Sequence, residues 1–485
     1  MGFRFTAAAS FVVLSAAGLV ACADLSASGR CASDPGACDG GEDTANGFDS
    51  GADTALDLDV AGDGPEDTTF PTDGAKDEGS DVAVPDAVPD ACAAAGACIP
   101  GSTRIGGKCA IDEIGTEKCS PGCAWETTCA PRKGWRTIAT PPTGFRGRRF
   151  GAVAWTGSQM VIVGGETSTG YALDAASYEY ATDTWKALPG LPSGMEARRS
   201  ASAVWTGSEV VVWGGLTPMD YVGDGATFDP VTNTWKKIAA SPLAARGQHG
   251  AVWATTTKQI LVWGGRGKCT GIVCDDGAAY DPATDTWSML PAAPLTPRDE
   301  HFVAWTGSEL LVWGGNAGDT FYRDGARYNP STKAWTKLPD PPTTITGHLG
   351  MVTVFVGGEF YVWGGENKID TTNNGARYVF SSNAWNTLAL PVSTLLKPRS
   401  LAHGWFGNGQ LFVWAGSESL GTSGAVTVSG GAAYSPTSDA WLAVDNSGQP
   451  SARVFADVVW TGRAAIVWGG QAPGAFLGDG AAFIP

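Results

Sequence analysis

Near copies of one five-residue stretch recur along this chain: VIVGG ends at Gly165, VVWGG at Gly215, LVWGG at Gly265 and Gly315, YVWGG at Gly365, FVWAG at Gly416 and IVWGG at Gly470. The first four intervals are each 50 residues. A second signal, an aromatic residue, a turn and a tryptophan, follows the first six copies: YEYATDTW (178–185), FDPVTNTW (228–235), YDPATDTW (280–287), YNPSTKAW (328–335), YVFSSNAW (378–385) and YSPTSDAW (434–441). Repetition at this period marks stacked or radial units.

Residues 198–238 show what one unit must be. Four short apolar or alternating runs are separated by TGSE, a Gly-rich loop and DPVTNT, each carrying the residues that turns need. That reads as a four-stranded antiparallel meander. One such sheet cannot cover its own apolar faces, so each unit needs neighbours on both sides. The 67 glycines and 20 tryptophans in 485 residues suit a repeat-built sheet protein, and no helix-length amphipathic run lies in the last two thirds.

The paired glycines, the aromatic and the following tryptophan resemble the kelch repeat, whose arrays form β-propellers. The resemblance covers residues 131–485. It implies an all-β, seven-bladed kelch-type β-propeller with four antiparallel strands per blade. Departures are local: Ala415 replaces a glycine, and the sixth unit carries the insertion SESLGTSGAVTVS. The seventh unit stops at DGAAFIP without a tryptophan strand, whereas GWRTIATPP (134–142) supplies one before the first unit. Trp135 precedes Gly164 by 29 residues, as Trp185 precedes Gly214. The N-terminal strand around Trp135 is therefore expected to complete blade seven.

Before the repeats the composition changes. Residues 1–22 read as a signal peptide: Arg4, an apolar run from Ala7 to Val20, then LVAC. The ending resembles the lipobox of bacterial lipoproteins, which implies lipidation of Cys22; an ordinary secretory signal is the alternative. Residues 24–90 hold 18 Asp and Glu against Arg30 and Lys76, so nearly all of the net charge of -17 lies there. With so few aromatics, residues 23–91 read as a disordered acidic linker. Without Cys22, ten of the 11 cysteines remain, an even number that suits disulfides in an oxidising compartment. Cys31 and Cys38 are close, Cys269 and Cys274 bracket a short loop, and Cys92, Cys98, Cys109, Cys119, Cys123 and Cys129 crowd into a small module, 92–130. That module is similar to cysteine-rich modules of bacterial surface proteins; six cysteines allow 15 pairings. Zinc is the rival reading, but the segment has no histidine.

Loops after the glycine pairs vary from ETSTGYAL to RGKCTGIVC, whereas the TGSE-type turns on the opposite face are uniform. Variable loops on a rigid scaffold are where binding usually lives. Seven residues before the aromatic ending each first strand stand Arg148, Arg198, Arg246, Arg298, His348 and Arg453, with Arg399 one place out of step. One reading is a basic ring at the channel mouth that binds an acidic peptide or glycan. The other is a structural pair: Asp174, Asp224, Asp324 and Asp479 follow their arginines by 26 residues, and Asp276 follows Arg246 across a longer spacing. His249, His301, His348 and His403 suit packing or channel lining better than a metal or proton relay. GxSxG, HExxH and GxxxxGK[ST] are absent, and DLDVAGDG lacks the residues of a calcium loop.

The sequence therefore predicts a lipid-anchored, bacterial cell-envelope binding protein that takes a protein or glycan ligand. It is expected to be a monomer without cofactor, metal or nucleic-acid partner. An envelope carbohydrate-active enzyme or oxidoreductase is the alternative. A third expectation is that the acidic linker lies on the basic mouth and masks it.

Overall fold

Each unit's runs form four strands, the second buried on both faces and the fourth largely exposed. The structure, a computed structural model, describes residues 103–105, 109, 113–120, 124–346, 349–367, 370–419 and 425–485. The second unit forms Ser202–Trp205, Val210–Trp213, Gly225–Asp229 and Thr234–Lys237, paired antiparallel in that order. There are seven such four-stranded sheets, and no helix occurs among the described residues. Their first strands are Ala152–Trp155, Ser202–Trp205, Gly250–Ala254, Phe302–Trp305, Val352–Val356, His403–Gly407 and Asp457–Trp460. In sheet seven the fourth strand is Gly134–Thr137, from the other end of the repeat array, with Trp135 opposite Phe483.

The core lies between sheets. Val210–Trp213 is apolar at every position because neighbouring sheets cover it on both sides. Seven hydrophobic clusters each join two successive sheets: Val161 and Val163 meet Val210 and Val212 in one, and Val459, Ile466 and Trp468 of sheet seven meet Val153, Met160 and Ile162 of sheet one in another. The first strand of sheet one touches those of sheets two and seven. Volumes are matched across the joints. Ser202 Oγ lies 2.9 Å from His249 Nε2. A Cβ on Gly250 would collide with Val303 Cγ1 and fall 3.0 Å from His301 Nε2, so a glycine stands where the next sheet packs two side chains.

Each glycine pair is a joint of this kind. Gly214 and Gly215 have φ of 71° and 112°, and a Cβ on Gly214 would lie 2.6 Å from the Arg246 carbonyl of the next sheet. That close approach lets the Gly215 N–H donate to Arg246 O at 2.8 Å; likewise Gly165 donates to Arg198 O and Gly470 to Arg148 O, both at 2.8 Å. The second signal is an outer clasp. The Tyr178 hydroxyl donates to Asp183 Oδ1 (2.6 Å), which also accepts the Ala139 N–H (2.9 Å), while Trp185 Nε1 donates to Ala139 O (2.8 Å). Trp235, Trp287, Trp335, Trp385 and Trp441 make the same bond to the segment leaving the preceding sheet.

In sheet six the insertion lengthens two strands into Gln410–Ser419 and Ala425–Ser435. Ala415 takes the left-handed φ of its missing glycine (55°) at a bulge between Trp414 and Gly416. The cysteine-rich segment forms a three-stranded sheet, Thr103–Ile105, Glu113–Cys119 and Trp125–Pro131, with a Cys109–Cys129 disulfide; Cys119 is also disulfide-bonded. Cys269 and Cys274 are joined to each other. The signal segment with Cys22, the acidic linker with Cys31 and Cys38, and Cys92, Cys98 and Cys123 lie outside the described residues.

Candidate functional site

At the end of the sheets where the glycine pairs lie, here called the mouth, the first strands open into loops, and two sets of side chains recur there from sheet to sheet. The first is the arginine ring. Arg148 is fully buried: Nε donates to Arg146 O (3.0 Å), Nη1 to Gly164 O (2.8 Å) and Asp174 Oδ1 (2.7 Å), and Nη2 to Asp174 Oδ2 (3.1 Å). Arg198 binds Asp224 at 2.6 Å, Arg246 binds Asp276 at 2.7 Å, Arg298 binds Asp324 at 2.8 Å and Arg453 binds Asp479 at 3.0 Å, each also donating to its glycine-pair carbonyl. Of the two readings of these five arginines, the structure shows the pair. Each fork ties a first strand to the turn and the third strand of its own sheet.

Arg399 belongs in register, a correction to the sequence reading. Its Nε donates to Lys397 O, two residues before, and its Nη1 to Ala415 O, sixteen after, as in the other sheets. Counting to Trp405 displaces it; the residue opposite Leu411, as Trp155 is opposite Met160, is Phe406. Gly430 stands at the aspartate position, and Glu418, from the lengthened hairpin, binds Nη2 instead at 3.2 Å. In sheet five Asn374 donates to Thr346 Oγ1 (3.0 Å), and His348 lies outside the described residues.

The second ring escaped the sequence reading. It uses the residue after each arginine and the residue after each glycine pair, and most of its contacts link one sheet to the next. Arg149 Nε and Arg199 Nη1 both lie 3.2 Å from Glu166 Oε2; Arg199 Nε donates to the Tyr171 hydroxyl (2.9 Å), and Arg149 Nη1 donates to Gln471. Arg149 lies 4.7 Å from the Phe150 ring and Arg199 lies 5.3 Å from it. Farther round, Arg266 donates to Asp299, and the Ser400 hydroxyl donates to Glu366 (2.9 Å). Arginine recurs at Arg149 and Arg199 and glutamate at Glu166 and Glu366, but no residue type runs through all seven sheets, so no full period advertised these positions. Most of the pairs reach across sheets, while Arg149–Glu166 lies within one.

Beneath this ring runs a collar of residues held in the left-handed region: Phe150, Ser200, Gln248, Glu300, Gly350, Leu401 and Phe455, with φ from 54° to 61°. That turn of the backbone aims four of these N–H groups at the preceding sheet. Ser200 donates to Phe150 O (2.9 Å), Gln248 to Ser200 O (3.0 Å), Glu300 to Gln248 O (3.2 Å) and Leu401 to Gly350 O (2.7 Å). Six non-glycine residues in this region amount to strain held by a rigid frame at a mouth.

Burial, and then the neighbouring Asp299, push the Glu300 carboxyl up to about 8, while Gln248 and Asn316 side-chain amides donate to its two oxygens at 2.9 and 3.3 Å. Burial also raises Asp299 and Glu366. His249, His301 and His403 are pushed down to about 3 by burial, and the first two rings lie edge-on to Trp213 and Trp263. They are packing residues, neutral at physiological pH.

A sequence model of the KLHDC2/KLHL20/DRC7 Kelch-repeats domain matches residues 127–297 and 254–470, together well over half of the chain. The chain belongs to the kelch-repeat family. No curated protein matches it. In kelch terms the sheets are blades, the glycine pair is the joint between blades, and the tryptophan that follows is the outer clasp. Kelch propellers mediate protein–protein interaction, the coarse function to which membership assigns this chain.

Proposed function

We propose that the seven blades form one closed propeller, fastened by the Gly134–Thr137 strand, and that this propeller is a non-catalytic binding module for an acidic segment of a partner protein. Three observations support closure: Gly134–Thr137 pairs with Gly480–Ile484, Gly470 donates to Arg148 O, and one cluster joins blades seven and one. Trp135 packs on Phe483 and Trp414 as the fourth strand of its blade.

One observation carries the ligand surface. The Arg148 side chain is 0% exposed and committed to Asp174, but those of Arg149 and Arg199 are 20% exposed and share one carboxylate, Glu166. That sector has a surplus cation, aromatic faces and rigid support, which suits a carboxylate-bearing peptide. A glycan acid offers the same carboxylate and is the alternative ligand. Enzymatic function has one observation in its favour, the raised Glu300 carboxyl; with both oxygens held by Gln248 and Asn316, it offers no free acid to a substrate.

The propeller is displayed, in this reading, from a bacterial envelope on the acidic linker, with a lipid on Cys22. The Cys22→Ser protein should move from the membrane to the soluble fraction; a wild type that is itself soluble and cleaved elsewhere would end the lipid reading. For the ligand, thermal shifts of the wild type and of Arg149→Ala, Arg199→Ala and Arg298→Ala proteins would be read with acidic peptides and acidic glycans. A peptide shift lost in the Arg149 and Arg199 variants, whose own melting is unchanged, is expected. A shift retained in both would move the site elsewhere.

A further inference from the structure

We propose that the Cys269–Cys274 disulfide is a redox latch on the mouth between blades three and four: closed, it holds Arg266 on Asp299, and opened by a dithiol, it releases them. The bond closes a loop only five residues along the chain, so it constrains the unfolded chain little and its effect is local. The equivalent loops of blades one and two form without a disulfide. There Thr167 Oγ1 donates to Gly170 O (2.8 Å) and Thr217 Oγ1 to Asp220 O (2.9 Å). Blade three has Gly267 at that position, where a Cβ would collide with Ala245 O, so the hydroxyl clamp is gone and the disulfide stands in its place.

What the loop carries gives the latch its reach. Arg266 bridges to Val273 across the loop and donates to Asp299, which is fully buried and has no other charged partner among the described residues. The Cys274 carbonyl accepts the Arg298 N–H at 3.1 Å, one residue before Asp299 and two before Glu300 of the collar. A carboxylate oxygen of Asp276, the partner of Arg246, lies within 4.8 Å of both sulfurs. At the loop's tip Ile272 is exposed at φ 76°, a region that β-branched residues avoid, so opening the loop also relieves strain.

The chemistry balances with a dithiol reductant. One thiolate of the dithiol attacks the half-buried Cys269 sulfur and breaks the S–S bond; Cys274, nearly fully buried, leaves as thiolate and takes a proton. The second thiol of the reductant then displaces Cys269, which takes the second proton. Two electrons pass to the protein, and the reductant becomes a disulfide. With Arg266 free, Asp299 loses its ion-pair partner, Glu300 keeps only Arg199 nearby, and the acidic side of the mouth changes charge and mobility. Consequence for a ligand rests on the mouth being the binding surface; the latch itself does not, so the two can fail separately.

The test uses the full chain, oxidised, treated with graded dithiothreitol, and as Cys269→Ser/Cys274→Ser and Arg266→Gln variants. The double variant keeps the Cys109–Cys129 bond. Alkylation and peptide mass analysis should find Cys269 and Cys274 reduced at reductant levels that move the melting temperature by less than about 3 °C. Amide exchange should then rise about tenfold at 266–276 and at 299–301, in the reduced protein and in the double variant alike. Arg266→Gln, with its disulfide intact, should raise exchange at 299–301 alone. Exchange that rises only at 268–273, or a bond that opens only when blade three unfolds, would overturn the latch and leave a local staple.

Discussion

Arg148 and Arg149 are neighbours of the same residue type and do opposite work. Arg148 points back into its own blade, fully buried, and meets a carboxylate written 26 residues later in the same repeat. Arg149, partly exposed, pairs with Glu166 across its own blade and reaches Gln471 of blade seven. The first position is almost invariant around the ring because every blade needs the same internal tie. The second position varies through Arg149, Arg199, Gly247, Asp299, Leu349, Ser400 and Val454, because each pair of blades needs only some compatible partner. Uniformity around a repeat array marks architecture, and variation on the same frame marks the surface left free for recognition.

The largest effect should come from breaking a first-ring pair. Arg298→Ala removes a buried cation that ties the Asp324 turn and the Gly314 carbonyl, and should destabilise the propeller by about 3 to 5 kcal/mol. Chemical denaturation would measure it; a loss below about 1 kcal/mol would mean that the pair is no more than a surface bridge.

Next in size is a pH effect that sharpens the contrast between polar groups held for binding and those held for packing. Glu300 carries a folded value of about 8 against 4.5 unfolded, so the folded protein holds the extra proton. Its contribution is complete below the unfolded value and lost as pH rises from about 4.5 through 8; Glu300→Gln should flatten that decline by no more than about 2 kcal/mol. Histidines work in the other direction. His249, His301 and His403 fall to about 3 from 6.5, so their contribution is present above 6.5 and lost as pH drops toward 3. Melting temperature should therefore peak on the mildly acidic side of neutrality. A profile with no decline between pH 6 and 8 would show Glu300 to be ordinary.

Smallest of all should be Arg149→Ala, with a stability change within about 1 kcal/mol, because its ion pair is shared and partly solvated. A loss as large as that of Arg298→Ala would erase the distinction between the rings and make the mouth structural throughout.

Much of this was legible in the residues themselves. The glycine pairs, the aromatic-to-tryptophan spacing and the Arg-to-Asp interval are local facts repeated at a fixed period, and each maps onto a bond of the structure: Gly215 to Arg246 O, Trp235 to Pro189 O, Arg298 to Asp324. The displaced count at Arg399 comes from taking Trp405 as the strand end; Phe406, ten residues before Gly416 as Trp155 is before Gly165, is the residue opposite Leu411.

What the sequence by itself determined is therefore whatever recurs within one repeat: sheet content, strand order, the joints, the clasps and the internal ion pairs. Tertiary structure alone decided what lies between repeats. Glu166 meets Arg199, Arg266 meets Asp299, and residues of six different types adopt one left-handed turn from sheet to sheet; within blade six, Glu418 replaces a missing aspartate. The inter-blade pairs stand 33 or 34 residues apart, but their residue types change from one joint to the next, so only the placing of one blade against the next shows which of them meet.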